Sequence, residues 1–189
     1  MKVFVAFVIA VVAPALPALA ADYTLALTPE ATKVQFTLTD PLHTVHGSFN
    51  LRRGQIDFNT DTCKASGQVV VDVASGNSGS DARDSRMHAN VLESKKYPEA
   101  IFTPDHVDGA LAVPGTSTVK VHGTFTIHGT PHELTMDVHT SGAADRMHAI
   151  MAFDVPYVAW GMKDPSNFIL TVSKTVQMTI ETTSPLQKR

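Results

Sequence analysis

The chain has 189 residues, with 15 Lys or Arg against 18 Asp or Glu and a formal net charge of −3. No basic run stands out, so no nucleic-acid partner is expected, because phosphate binding needs a concentrated positive surface. Cys63 is the only cysteine and excludes an intramolecular disulfide, so it either has no role or links two copies of the chain.

The first twenty residues have the pattern of a secretory signal peptide. Lys2 precedes an unbroken apolar run over residues 3–12, and Ala18-Leu19-Ala20 offers small residues where a signal peptidase cleaves. We expect cleavage near Ala20, a mature domain over residues 21–189, and a periplasmic or secreted location. The alternative is an uncleaved anchor, but the run is short for a membrane span, and no later segment has the composition of an integral membrane segment.

The mature sequence alternates between apolar and polar residues in successive stretches. A period of two is typical of strands with one buried and one solvated face, as in antiparallel sheets. The stretches lie over residues 32–39, 119–128, 132–139, 147–153 and 172–180. Turn-forming residues fall between such stretches at short intervals, so the pattern predicts an all-β domain, either a barrel or a sandwich.

Two segments interrupt this alternation. Small residues over 75–80 lead into a helical pattern over 81–92, for which Asp81 is a suitable N-cap and Asp84 a favourable first-turn residue. The second segment, residues 156–165, is predicted to be a loop and contains unusually many apolar residues. One short helix is therefore expected.

The apolar faces of the strands supply the candidate interior. Periodicity leaves two interpretations open: a filled core, the commoner fate of such residues, or a barrel of about eight strands with room for one elongated ligand. Methionines among them suit an adaptable lining. The candidate interior residues are Val34, Phe36, Leu38, Phe49, Val69, Val71, Phe102, Val121, Phe125, Ile127, Leu134, Met136, Met151 and Phe153.

Nine histidines raise the question of a metal site. His43 and His46 are three residues apart and would point to opposite faces of a strand. His128 and His132 flank a tight turn and could meet across a hairpin, but without a carboxylate or supporting ligands they would form a weak site. Solvated strand histidines are the favoured interpretation, and no metal ligands are predicted.

No catalytic motif is present, neither a nucleophile elbow nor a phosphate loop nor a zinc-protease helix motif. The densest polar group, Arg83, Asp84, Arg86 and His88, fits a solvated helix end with local ion pairs. The alternative is an exported hydrolase or isomerase that acts on a small apolar substrate, with Asp84 and His88 as acid and base.

The order of several motifs resembles the YceI-like family. The motifs are Val34-Gln35-Phe36, His46-Gly47-Ser48-Phe49, Asp81-Ala82-Arg83-Asp84, Tyr97-Pro98 and the stretch from Val121 to Gly129. Each is weak alone, but together they cover nearly the whole mature chain in a fairly specific order.

This resemblance implies an eight-stranded antiparallel barrel similar to a lipocalin, exported to the periplasm. It implies a polyisoprenoid or isoprenoid-quinone chain bound in an apolar tunnel, no other cofactor, no catalytic residues and, as a further partner, a second copy of the chain. A structural or stress-related module with a filled barrel is the remaining alternative.

The sequence departs from the family pattern at two places. Val91-Leu92-Glu93 stands where the family has Phe-Phe-Asp, and residues 155–162 stand where it has Arg-x-Asp-Phe-Gly. We expect these changes to reshape the barrel mouth, with Trp160 lining it and Arg83 or Tyr157 orienting a ligand head group.

Overall fold

The computed structural model describes residues 22–39, 43–143, 145–167 and 171–189. The predicted signal peptide, residues 1–20, lies outside these ranges. Within them, the only helical segment is far too short to span a bilayer, and no helix meets the length and hydropathy that a membrane crossing requires.

The described residues form nine antiparallel strands in one sheet, ordered β1-β3-β2-β9-β8-β7-β6-β5-β4 and closed by a pairing between β3 and β4. Each strand from β2 to β9 pairs with its neighbour in sequence, and β2 pairs with β9, which completes an eight-stranded barrel. The predicted all-β barrel is confirmed. The strands are β1 Asp22–Leu27, β2 Thr32–Thr39, β3 Thr44–Asn59, β4 Ala65–Asn77, β5 Glu99–Asp108, β6 Gly115–Ile127, β7 Thr130–Gly142, β8 Arg146–Val155 and β9 Val176–Lys188.

The ninth strand, β1, shares one barrel position with β2. Both lie between β3 and β9: Leu27 of β1 pairs with Gly54, and Val34 of β2 pairs with Phe49. The two are thus segments of one interrupted strand. The sequence pattern did not predict β1, because Thr24 and Leu25 are both buried and the strand shows no alternation.

The last strand differs from its prediction. Alternation predicted a strand face over 172–180, but β9 begins at Val176 and continues to Lys188, while Val172 is buried before it. The second half was missed because two of its inward positions hold Thr182 and Ser184, which are almost fully buried and hydrogen-bonded to each other.

The predicted helix over 81–92 is present as α1, Asp81–Arg86, continued by a π-helical turn over Met87–Val91. Asp81 is the first helical residue rather than the N-cap, which is Ser80. Asp84 instead accepts hydrogen bonds from the backbone N–H and the hydroxyl of Ser78, which ties the helix start to the preceding loop.

The barrel has two unlike ends. The helix end carries α1, the two-residue turn at His128-Gly129 and the loop over 156–167. Both turn residues have positive φ, 52° and 76°, as a tight hairpin turn requires. The terminus end carries the start of β1, the close of β9 and the turns after β3, β5 and β7.

Candidate functional site

An apolar cavity lies inside the barrel, toward the terminus end. Of its 22 lining residues, only Thr140 and Thr182 are polar. The hydroxyl of Thr182 is already hydrogen-bonded to Thr32 and Ser184, at 2.9 and 2.7 Å. The hydroxyl of Thr140 donates to the Ser117 carbonyl at 3.3 Å. Because a buried water needs two to four polar partners, this interior favours apolar contents.

The cavity is narrow. Its volume is about 100 Å³, which suits a slender apolar group rather than a bulky molecule.

Eight of the seventeen predicted ligand-binding residues line this cavity. They come from β4, β5, β6, β7 and β8, so the inward faces predicted from alternation do converge. The eight are Val69, Val71, Phe102, Val121, Phe125, Met136, Met151 and Phe153.

The other nine predicted residues lie elsewhere. Val34 and Phe49 belong to the core cluster around Leu25 and Leu27, and Phe36 packs against Phe49 with ring centroids 5.3 Å apart. Leu38, Ile127 and Leu134 pack, together with Tyr157 and Trp160, in a cluster at the helix end. Arg83 is exposed on α1, where its guanidinium donates to the hydroxyl and the carbonyl of Ser78.

Fourteen lining residues were not in the predicted set. The alternating pattern already extended to Val119, Val138, Met147 and Ala149, so a longer count along each strand would have found them. The lining residues of β1 lie in a strand without alternation. The inward Thr140 and Thr182 are polar, so the sequence pattern did not mark them as interior residues. The fourteen are Leu25, Leu27, Ile56, Phe58, Ala100, Val107, Leu111, Val119, Val138, Thr140, Met147, Ala149, Ile180 and Thr182.

Aromatic side chains close the interior toward the helix end. We call Phe125, His132, Tyr157 and Trp160 the aromatic plug. The rings of His132 and Trp160 stack, with centroids 4.1 Å apart and planes 8° apart, and Phe125 lies 6.0 Å from Trp160. Neither Tyr157 nor Trp160 lines the cavity. These two side chains therefore pack beyond the cavity, and Phe125 connects them to it.

Tyr157 holds the loop of the plug in place. Its hydroxyl donates to the Ser173 carbonyl at 2.7 Å, and the backbone N–H of Met162 donates to the Tyr157 carbonyl at 3.0 Å. Burial raises the pKa of Tyr157 to about 12, with a further contribution from the Asp164 carboxylate. The phenol thus stays neutral and acts as a structural donor at physiological pH.

The residues considered for acid–base catalysis do not form a joint site. The Asp84 carboxylate accepts a hydrogen bond from Ser78, whereas the His88 ring contacts the Gly76 carbonyl at 2.9 Å. No hydrogen bond joins Asp84 to His88 in the described chain. Both side chains instead hydrogen-bond to the loop before α1.

The hairpin histidines also separate. The His128 ring contacts the Glu93 carboxylate at 2.7 Å and packs on Tyr97, whereas His132 stacks on Trp160. The expectation of a solvated histidine is wrong for His132, because β7 turns this side chain inward and Trp160 stacks on it. Among the described residues, one group of three brings possible metal-ligand atoms within 4.8 Å of one another: Asp105, His122 and Glu133, on the outside of the barrel.

Comparisons with solved structures agree with this architecture. The polyisoprenoid binding domain from Saccharophagus degradans, described as implicated in plant cell wall breakdown, matches with 20% identity and a TM-score of 0.66 over 87% of this chain and 98% of its own. BcnA of Burkholderia cenocepacia matches with 17% identity and a TM-score of 0.69 over 85% and 99%. The YCEI protein of Campylobacter jejuni matches with 20% identity and a TM-score of 0.64 over 78% and 88%.

A search of curated proteins found no significant match. The family model for the YceI-like domain, however, matches residues 25–184, which span the barrel from β1 into β9. The motif order and the closed barrel lead to the same conclusion: the chain belongs to the YceI-like domain family.

Proposed function

We propose that this protein is an exported, non-enzymatic lipid-binding protein that carries or sequesters a polyisoprenoid or isoprenoid-quinone chain inside the barrel. The observation that carries the proposal is the narrow cavity with 20 apolar residues among its 22 lining residues. An apolar group suits such a lining, whereas a polar ligand would lack hydrogen-bond partners and a bulky one would lack room.

The hydrophobic effect supplies the affinity. Each CH₂ group that leaves water contributes about 0.8 kcal/mol, so a chain of several isoprene units needs no specific polar contact to bind tightly. The polar head group cannot follow into the cavity, because Thr140 and Thr182 already use their hydroxyls. The head group would remain outside the apolar lining.

Family membership and the neighbour described as a polyisoprenoid binding domain support the choice of ligand. The hydrolase or isomerase alternative needs Asp84 and His88 to converge on one site. Their side chains instead hydrogen-bond to separate parts of the preceding loop. The apolar cavity favours a ligand-binding barrel over a module with a filled core.

The decisive experiment is native mass spectrometry of the protein purified from its own cells, followed by organic extraction. We expect a bound mass that extracts as an isoprenoid, and a polypeptide mass equal to residues 21–189 if export removes the predicted signal peptide. The same spectrum reports whether the chain forms the predicted homodimer. A protein that carries no lipid and takes up no added polyisoprenoid would contradict the proposal.

Two matched variants locate the ligand. Ala149 lines the cavity, whereas Ala152 lies on the outer face of the same strand, β8. Ala149→Phe places a large side chain in the narrow passage and should weaken polyisoprenoid binding at least tenfold. Ala152→Phe should leave binding unchanged. Circular dichroism and the milder Ala149→Val variant distinguish loss of the cavity from loss of the fold.

A further inference from the structure

A second candidate site lies on the outer face of the barrel, where β5, β6 and β7 are adjacent. Asp105, His122 and Glu133 each offer one ligand atom there, and these atoms all lie within 4.8 Å of one another. An imidazole nitrogen with two carboxylate oxygens is a donor set that zinc-class ions take in proteins. These residues do not line the interior cavity.

The strands build this group through a local irregularity. His106 pairs with His122, but Pro104 pairs with Gly123, so β5 holds one extra residue, Asp105, opposite β6. Such a bulge disturbs the strict alternation of a strand and re-aims a side chain. Asp105 and His106 consequently both lie on the outer face of β5, and the Asp105 carboxylate reaches the His122 ring.

Glu133 lies on β7, on the other side of β6 from Asp105. It pairs with Thr124 on β6, one outward position beyond His122. One Glu133 oxygen lies 3.2 Å from His122 Nε2, while an Asp105 oxygen lies 2.8 Å from His122 Nδ1. Both ring nitrogens therefore face carboxylate oxygens.

This arrangement requires a positive charge. A neutral imidazole has one N–H and one lone pair, so one of the two carboxylates faces a lone pair unless a proton or a metal ion lies between them. Within the described ranges, His122 is the only ion-pair partner of Asp105 and of Glu133. The nearby outward pair of Lys120 and Asp137 needs no added positive charge, because the Lys120 ammonium lies 2.7 Å from the Asp137 carboxylate.

We propose that Asp105, His122 and Glu133 form a binding site for a zinc-class divalent transition-metal ion, completed by water. Zinc binds imidazole nitrogen and carboxylate oxygen at about 2.0–2.2 Å, and the three donor atoms already lie within 4.8 Å of one another. Metal binding requires side-chain rotations that bring both carboxylates to one nitrogen of the His122 ring. His122, Asp105 and Glu133 are 38%, 56% and 73% exposed, which leaves them free to rotate and open to water. The ion joins three strands on the outer wall of the barrel.

The test is a Zn²⁺ titration of the full-length protein without a histidine tag, by competition with a chromophoric indicator. We expect one equivalent to bind per chain, and His122→Ala, Asp105→Asn and Glu133→Gln each to weaken binding at least tenfold. Asp137→Asn and His148→Ala are matched controls on outer strand faces, and each should change the affinity less than twofold.

Titration with Co²⁺ gives a second readout, because visible absorption bands report ligation by nitrogen and oxygen and should disappear in the three site variants. Two results would overturn the proposal. The first is no saturable Zn²⁺ binding by the wild-type protein. The second is binding that the three site variants retain or that the two control variants lose to the same extent. Thermal unfolding of each variant without metal identifies any that fail to fold.

Discussion

The two halves of the barrel are built from the same alternating strands but are filled differently. Toward the helix end, Phe125, Tyr157 and Trp160 pack in one cluster. Toward the terminus end, small inward side chains such as Val119 and Ala149 alternate with large ones such as Phe58, and the cavity lies among them. Alternation decides which residues point inward, and side-chain size decides whether the interior is filled.

The largest expected effect comes from the residue shared by both halves, Phe125, which lines the cavity and contacts Phe153 and Trp160. Phe125→Ala should lower the free energy of unfolding by about 3–5 kcal/mol, because it removes a buried aromatic ring and leaves a void beside the plug. Denaturant titration measures this change.

Val119→Ala is the matched control for this experiment, because Val119 is buried on the same strand and lines the cavity nearer the terminus end. Its expected cost is only about 1.6 kcal/mol, from the loss of two carbons at about 0.8 kcal/mol each. A loss in Phe125→Ala no larger than that in Val119→Ala would contradict the close packing of Phe125 against Phe153 and Trp160.

A smaller effect is expected at Thr182, where the cavity wall contains a polar network. Thr182→Val keeps the side-chain shape but removes the hydroxyl that joins Thr32 and Ser184. We expect a loss of about 1–2 kcal/mol in the free energy of unfolding, since buried hydroxyls are left with fewer partners. Ligand binding should be retained, because the wall becomes more apolar. Thr179→Val, on the outer face of β9, should be close to neutral in the same denaturant titration.

Sequence reasoning could predict the parts of the fold that follow from period-two alternation. The bounds of β2, Thr32–Thr39, follow directly from Val34, Phe36 and Leu38 on one face. The second half of β9 could not be predicted this way, because its inward Thr182 and Ser184 look like solvated residues until their hydrogen bonds are seen. Local polarity alone does not reveal such a network.

The sites show the same division. Eight lining residues followed from alternation, but whether the interior is hollow depends on the summed volumes of side chains from every strand. The approach of Asp105 to His122 depends on one extra residue in β5, which shifts the register and carries no compositional signal. The expectation that Trp160 lines the cavity mouth could not anticipate its stacking on His132.

The smallest effect should be a pH dependence of the helix end. Burial lowers the pKa of His132 below its ordinary value of about 6.5, and its Nε2 has no hydrogen-bond partner. The unfolded chain therefore binds a proton more readily than the folded one. The stability contributed by neutral His132 is fully present above about pH 6.5 and is lost as the pH falls through the lower folded pKa.

His132→Phe tests this linkage, because a phenyl ring can keep the stack on Trp160 but cannot take up a proton. The difference in unfolding free energy between about pH 7.5 and about pH 5 should become smaller than in the wild-type protein. His148→Gln is the control, since that ring lies on the exposed face of β8 and bonds Thr183. An unchanged pH dependence in His132→Phe would mean that the plug opens readily enough for His132 to be protonated as in the unfolded chain. In that case the helix end would be as accessible as the cavity end, and the contrast between the two halves would concern packing volume alone.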